Sequence, residues 1–112
     1  MSIAGCGSNT KTAPTQQDVV AIGAAVSDIV YQCQSVATGF TAGPDPSALR
    51  RDVDTLLNVS KHVRPDARFV SGSASGVTPT TNLRQQISLA TQNLTLAACA
   101  PAQAKRLATA RL

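Results

Sequence analysis

Apolar residues recur at spacings of three and four along most of the chain, and breaks in that rhythm divide it into helices. Val19, Ile22, Val26, Ile29, Cys33, Val36 and Phe40 form one stripe of about six helical turns. Val20 and Val30 widen it. Pro14 precedes Thr15, a good N-cap residue, and Asp18 stands three positions on in a capping-box arrangement. Gly39 and the segment Thr41-Ala42-Gly43-Pro44 end this first helix. The longest unbroken apolar run, residues 19–26, is far shorter than the roughly 20 residues a bilayer requires, so no transmembrane segment is expected.

Asp45-Pro46 opens a second helix, with aspartate as N-cap and proline where its missing N–H is harmless. Leu49, Val53, Leu56, Ser60 and Val63 share its inner face, with Leu57 alongside, and Pro65 stops it. Arg50 and Asp54 lie four apart on the outer face and could pair. Residues 64–78 read as a long connection whose Phe69-Val70 pair docks on the bundle. A third helix starts at Thr78-Pro79 or slightly later, with Leu83, Ile87, Ala90, Leu94 and Ala97 inside and Leu89 and Leu96 beside them. Pro101 either kinks this helix or opens a short fourth one in which Leu107 and Leu112 dock. No strand pattern exceeds four residues. The expected fold is all-α: an up-down-up three-helix bundle over residues 15–112, with a short C-terminal helix added and residues 1–14 outside it as a tether.

Composition fits slim helices. The 112-residue chain is 43% hydrophobic but only 3% aromatic (Tyr31, Phe40 and Phe69), so alanine and aliphatic side chains must fill the core. Such a length holds a single domain. All six acids are aspartates, against ten lysines and arginines, for a net charge of +4. The basic residues fall mainly in two clusters, Lys61, His62, Arg64 and Arg68, and Lys105, Arg106 and Arg111. Both lie where a helix is expected to end, and cations there complement the helix dipole. Only 14% of the residues are charged, so the basic field reads as diffuse and no nucleic-acid surface is expected. Attraction to anionic lipid or to an anionic wall polymer is compatible with it.

The three cysteines divide by position. In an up-down-up bundle the first and third helices run parallel, which brings Cys33 and Cys99 toward the same end. A bridge between them would close a long loop and add on the order of 4 kcal/mol to stability in the chain-entropy model. The alternative is two buried free thiols. Cys6 belongs to a different setting. Ile3-Ala4-Gly5-Cys6 is an aliphatic residue, two small residues and a cysteine, followed by the polar, small-residue stretch 7–14. This resembles the lipobox of bacterial lipoproteins, and the whole chain is similar to small actinobacterial-type lipoproteins.

The resemblance covers about a dozen residues. It implies that Cys6 accepts a lipid, that the mature chain begins there, and that the domain is held at a membrane surface outside the cytoplasm. A basic and apolar signal sequence is then expected upstream of Met1, since only Met1, Ser2 and Ile3 precede the motif.

No catalytic constellation emerges. His62 reads as an exposed cation at a helix end. Ser71, Ser73 and Ser75 have no base partner but His62. Asp52 and Asp54 point away from each other on one helix. No metal-ligand spacing and no phosphate-cradling loop occurs, so neither metal nor cofactor is expected. The expected role is binding or structural, with a protein partner or a small apolar ligand. The alternative is a cytosolic interaction protein acting through a partner helix or as a homodimer.

Overall fold

The computed structural model describes residues 11–40, 43–70 and 80–112. The chain is mostly helical, with α1 at Gln16–Ala37, α2 at Pro46–Ser60, α3 at Leu83–Thr95 and α4 at Pro101–Ala108. Two short strands, β1 at Phe69–Val70 and β2 at Thr80–Thr81, pair antiparallel between α2 and α3. These strands escaped the sequence reading because two residues cannot display a period of two.

α1, α2 and α3 each start at a side chain that satisfies orphan amides, whereas α4 has no side-chain cap and opens on Pro101. Thr15 and Asp18 form the expected reciprocal box, with Asp18 N–H donating to Thr15 Oγ1 at 3.1 Å and Thr15 N–H to Asp18 Oδ2 at 3.0 Å. Asp45 Oδ1 accepts from the amides of Ser47 and Ala48 at 3.0 and 3.2 Å, with Pro46 opening α2 as expected. The cap of α3 is Asn82, whose Oδ1 accepts from Gln85 N–H at 2.8 Å. α3 therefore starts a few residues beyond Thr78-Pro79, which lie outside the described residues.

The core joins Ile22, Val26, Ile29 and Cys33 of α1 to Leu49, Val53 and Leu56 of α2, Leu83, Ile87, Ala90 and Leu94 of α3, and Ala104 and Leu107 of α4. α1 packs on both α2 and α3, and α4 packs on α3 and α2. The short fourth helix is thus part of the core, with Leu107 buried and Leu112 against the cluster. Phe69 also docks on the core, while Val70 is exposed.

Three expectations about the stripes change. α1 ends at Ala37, so Phe40 falls beyond it and is 88% exposed; Val20 is also exposed. α2 ends at Ser60, short of Pro65, and Val63 reaches the core from an extended segment that bridges Thr12. There Thr12 N–H donates to His62 O at 2.9 Å, and Arg64 N–H donates to Thr12 O at 2.7 Å. Ala97 leaves the inner face because α3 breaks at Leu96, after which Ala97 and Ala98 both adopt left-handed backbone with φ of 52° and 54°. Pro101 then opens α4 rather than kinking α3.

α1 also carries an 18-residue window of mean hydropathy 1.3, long and apolar enough by length and composition to cross a membrane. The unbroken apolar run of residues 19–26 is short, and the Gln, Ser and Asp residues beyond it interrupt the helix without making the window polar. In the fold α1 serves as the core helix: Ile22, Ala25, Val26, Ile29 and Cys33 are all buried against the other helices.

Candidate functional site

The sulfurs of Cys33 and Cys99 lie 2.15 Å apart, at disulfide distance, with Cα atoms 5.4 Å apart and a sequence separation of 66. Cys33 comes from the buried face of α1. Cys99 is delivered by the turn of Ala97 and Ala98, which swings the chain out of α3 and back over the end of α1. Nearby, Gln34 Nε2 approaches Asn93 Oδ1 at 3.4 Å, and the buried Asn93 is further held by its Nδ2–H to Leu89 O at 3.0 Å. Asn93 sits inside the apolar stripe of α3 and was not anticipated from sequence.

His62 is exposed just past the end of α2, as expected, and it is also a partner of α1. Its Nε2 stands 3.0 Å from Asp18 Oδ1, tying the end of α2 to the start of α1. Asp18 is thereby shared between its own helix cap and His62. The hydrogen bond from His62, and then that from the Thr15 amide, hold the Asp18 carboxyl below its ordinary value. Asp66 pairs with Arg84 at 2.9 Å across the connection to α3. Asp54 does not pair with Arg50, four residues back; it meets Arg106 of α4 at 2.5 Å, and Arg106 also donates to Gln103 Oε1 at 2.7 Å. A fixed cation on a neighbouring helix competes well with a mobile i, i+4 partner, since one side chain of the pair is already held.

A second carboxylate contact joins the middles of α1 and α2. Asp52 does face away from Asp54, but across the helix interface it meets Asp28. Burial, then hydrogen bonding and repulsion from Asp28, raise the Asp52 carboxyl from 3.8 to about 7. Asp28 also accepts from Gln32 Nε2 at 2.8 Å, and Gln32 Oε1 accepts the Asp45 amide at 2.7 Å. The result is a polar line from the cap of α2, through Gln32 and Asp28, to Asp52. The only sequence signal for it is position: Asp28 precedes the buried Ile29 and Asp52 precedes the buried Val53, so each carboxylate flanks a core residue. Two helices packed through those core residues must bring the flanks together.

Among the described residues, no group of three or more histidine, cysteine or aspartate side chains is placed to hold a metal ion. An apolar cavity of about 330 Å³ lies beside Cys99, lined by Pro44, Pro46, Leu49, Ala100 and Pro101. It is at the lower end of the size that takes small ligands. Cys6, and with it the whole Ile3-Ala4-Gly5-Cys6 motif, lies outside the described residues, as do Ser71, Ser73 and Ser75. Comparison with protein-family models, with curated proteins and with solved structures returned no match.

Proposed function

We propose that this chain is a small helical protein of the bacterial envelope, exported and held at the membrane by a lipid on Cys6, with a binding or structural role and no catalysis of its own. The observation that carries the reading is the Cys33–Cys99 pair at disulfide distance. Disulfides persist in oxidising compartments outside the cytoplasm, where a cysteine at the end of Ile3-Ala4-Gly5-Cys6 would meet its lipid donor. The up-down-up order assigned to the first three helices is supported by their contacts. The start of α1 meets the end of α2 through Asp18 and His62, while Cys33 and Gln34 near the end of α1 meet Cys99 and Asn93 near the end of α3.

The test is expression with the natural upstream sequence, followed by fractionation and acyl labelling. Wild type should enter the detergent-soluble membrane fraction carrying label, and Cys6→Ser should be unlabelled and released. An unlabelled wild-type protein in the cytosol, with reduced Cys33 and Cys99, would overturn the reading.

A second reading, a helical interaction protein working through a partner helix or a homodimer, is favoured by the outer face of α1. Val20 and Tyr31 are 60% and 71% exposed there, and Gly23 leaves open space between them. Concentration-dependent mass in sedimentation would favour it. A small apolar ligand in the cavity beside Cys99 is tested by native mass spectrometry of freshly purified protein.

A further inference from the structure

We propose that the groove between α2 and the C-terminal end of the chain is a docking site for the phosphate headgroups of an anionic membrane surface. The groove encloses about 720 Å³ and is lined by four cationic side chains, Arg51, Lys61, Arg106 and Arg111, with Thr55 and Asn58 between them. Its one carboxylate, Asp54, is already committed to Arg106. Arg51, Lys61 and Arg111 hold no ion pair among the described residues. The other five aspartates are engaged elsewhere: Asp18 with His62, Asp66 with Arg84, Asp28 with Asp52, and Asp45 at its helix cap. The groove therefore brings three unpaired cations, from α2 and from the C-terminal end of the chain, to one place.

Helix ends alone do not account for this gathering. Lys61 is the C-cap of α2 and Arg106 lies in the last turn of α4, where each complements a dipole. Arg51 lies in the first half of α2, ten residues before Lys61, a distance of about 15 Å along the axis. The dipole effect fades within one turn, so it gives Arg51 no reason to be there. A span of that length also exceeds a single phosphate and suits a row of headgroups. No aromatic side chain lines the groove, which leaves single-stranded nucleic acid without a stacking platform.

The reach of the chain agrees. Thr12 is bonded to His62, the neighbour of Lys61. Five residues separate Cys6 from Thr12, and the span can extend no further than about 20 Å. A lipid on Cys6 would thus keep the Lys61 end of the groove within about 20 Å of the bilayer. This step rests on the envelope reading, and the groove itself is tested without it.

The test uses purified Cys6→Ser chain, which cannot be acylated, and vesicles of phosphatidylcholine with or without 30% phosphatidylglycerol in low salt. Binding should require phosphatidylglycerol and weaken as salt is added. At about fivefold per cation, R51Q/K61Q/R111Q should bind about a hundredfold more weakly. The control R64Q/R68Q/K105Q removes as many charges outside the groove and should lose far less. Circular dichroism of both variants checks that these exposed substitutions leave the fold intact. Inorganic phosphate, added at constant ionic strength, should not displace the vesicles. Equal loss in the two variants, binding without phosphatidylglycerol, displacement by phosphate, or tighter binding to an oligonucleotide would each overturn the proposal. Labelled Cys6 together with an inert groove would leave the envelope reading standing and remove only the docking site.

Discussion

The two ends of α1 are fastened by different chemistry. At its start, Asp18 joins the capping box to His62, and Thr12 bridges Val63, so the contacts are hydrogen bonds at the surface. At its other end, Cys33 meets Cys99 in the core, with Gln32 and Gln34 reaching to α2 and α3. Between them, Asp28 and Asp52 press two carboxyls together. One helix therefore has an end sensitive to acid, a middle that weakens as pH rises, and an end sensitive to reductant. Identical aspartate side chains titrate in opposite directions because one faces an imidazole and the other a second carboxylate.

The largest separation of the two ends should come from Cys33→Ala with Cys99→Ala. Removing the cross-link is expected to lower stability by about 4 kcal/mol in the chain-entropy model, read by urea denaturation; reductant should destabilise wild type similarly and leave the double variant unchanged. At the start of α1, Asp18→Ala removes the cap partner and the His62 contact together, for about 1 kcal/mol near neutral pH. Asp18 titrates low when folded, so it stabilises above the unfolded value of 3.8 and that stability is lost as pH falls through its folded value. Melting curves of wild type and Asp18→Ala should therefore converge in strong acid.

The middle contact should show the reverse trend. Asp52 holds its proton in the fold up to about pH 7 but would release it near 3.8 when unfolded. Below 3.8 both states are protonated and nothing is lost; wild type then weakens as pH rises through 7. Asp52→Asn is expected to be more stable than wild type above pH 7, by on the order of 1 kcal/mol after solvent screening, and no more stable at pH 3. Chemical denaturation at the two pH values checks it. The smallest expected effect is Ala98→Gly, which relieves a left-handed backbone position and should raise stability by about 0.5–1 kcal/mol, read as a small increase in Tm.

The helical frame was readable from sequence wherever periodicity and burial coincide. Ile22, Val26, Ile29 and Cys33 in α1, and Leu49, Val53, Leu56 and Ser60 in α2, are buried as the three-and-four spacing requires. The caps at Thr15 and Asp45 were equally legible, because each is a local side-chain solution to a local deficit. Ala97 was placed on the inner stripe because no glycine or proline warns of the break before Pro101; the turn there is made by two alanines in a conformation that sequence gives no sign of. The Asp28–Asp52 contact and the basic groove were hidden for another reason. Both join residues far apart in the chain, and only the packing of α1 on α2, and of α4 on α2, brings them together.

The most direct single measurement is the intact mass of the protein from its native host, without reduction, together with fragment masses that locate each modification. The predicted result is a chain beginning at Cys6, heavier by a diacylglyceryl group on that residue, and lighter by two hydrogens shared between Cys33 and Cys99. An unprocessed chain carrying no lipid and three free thiols would contradict the account.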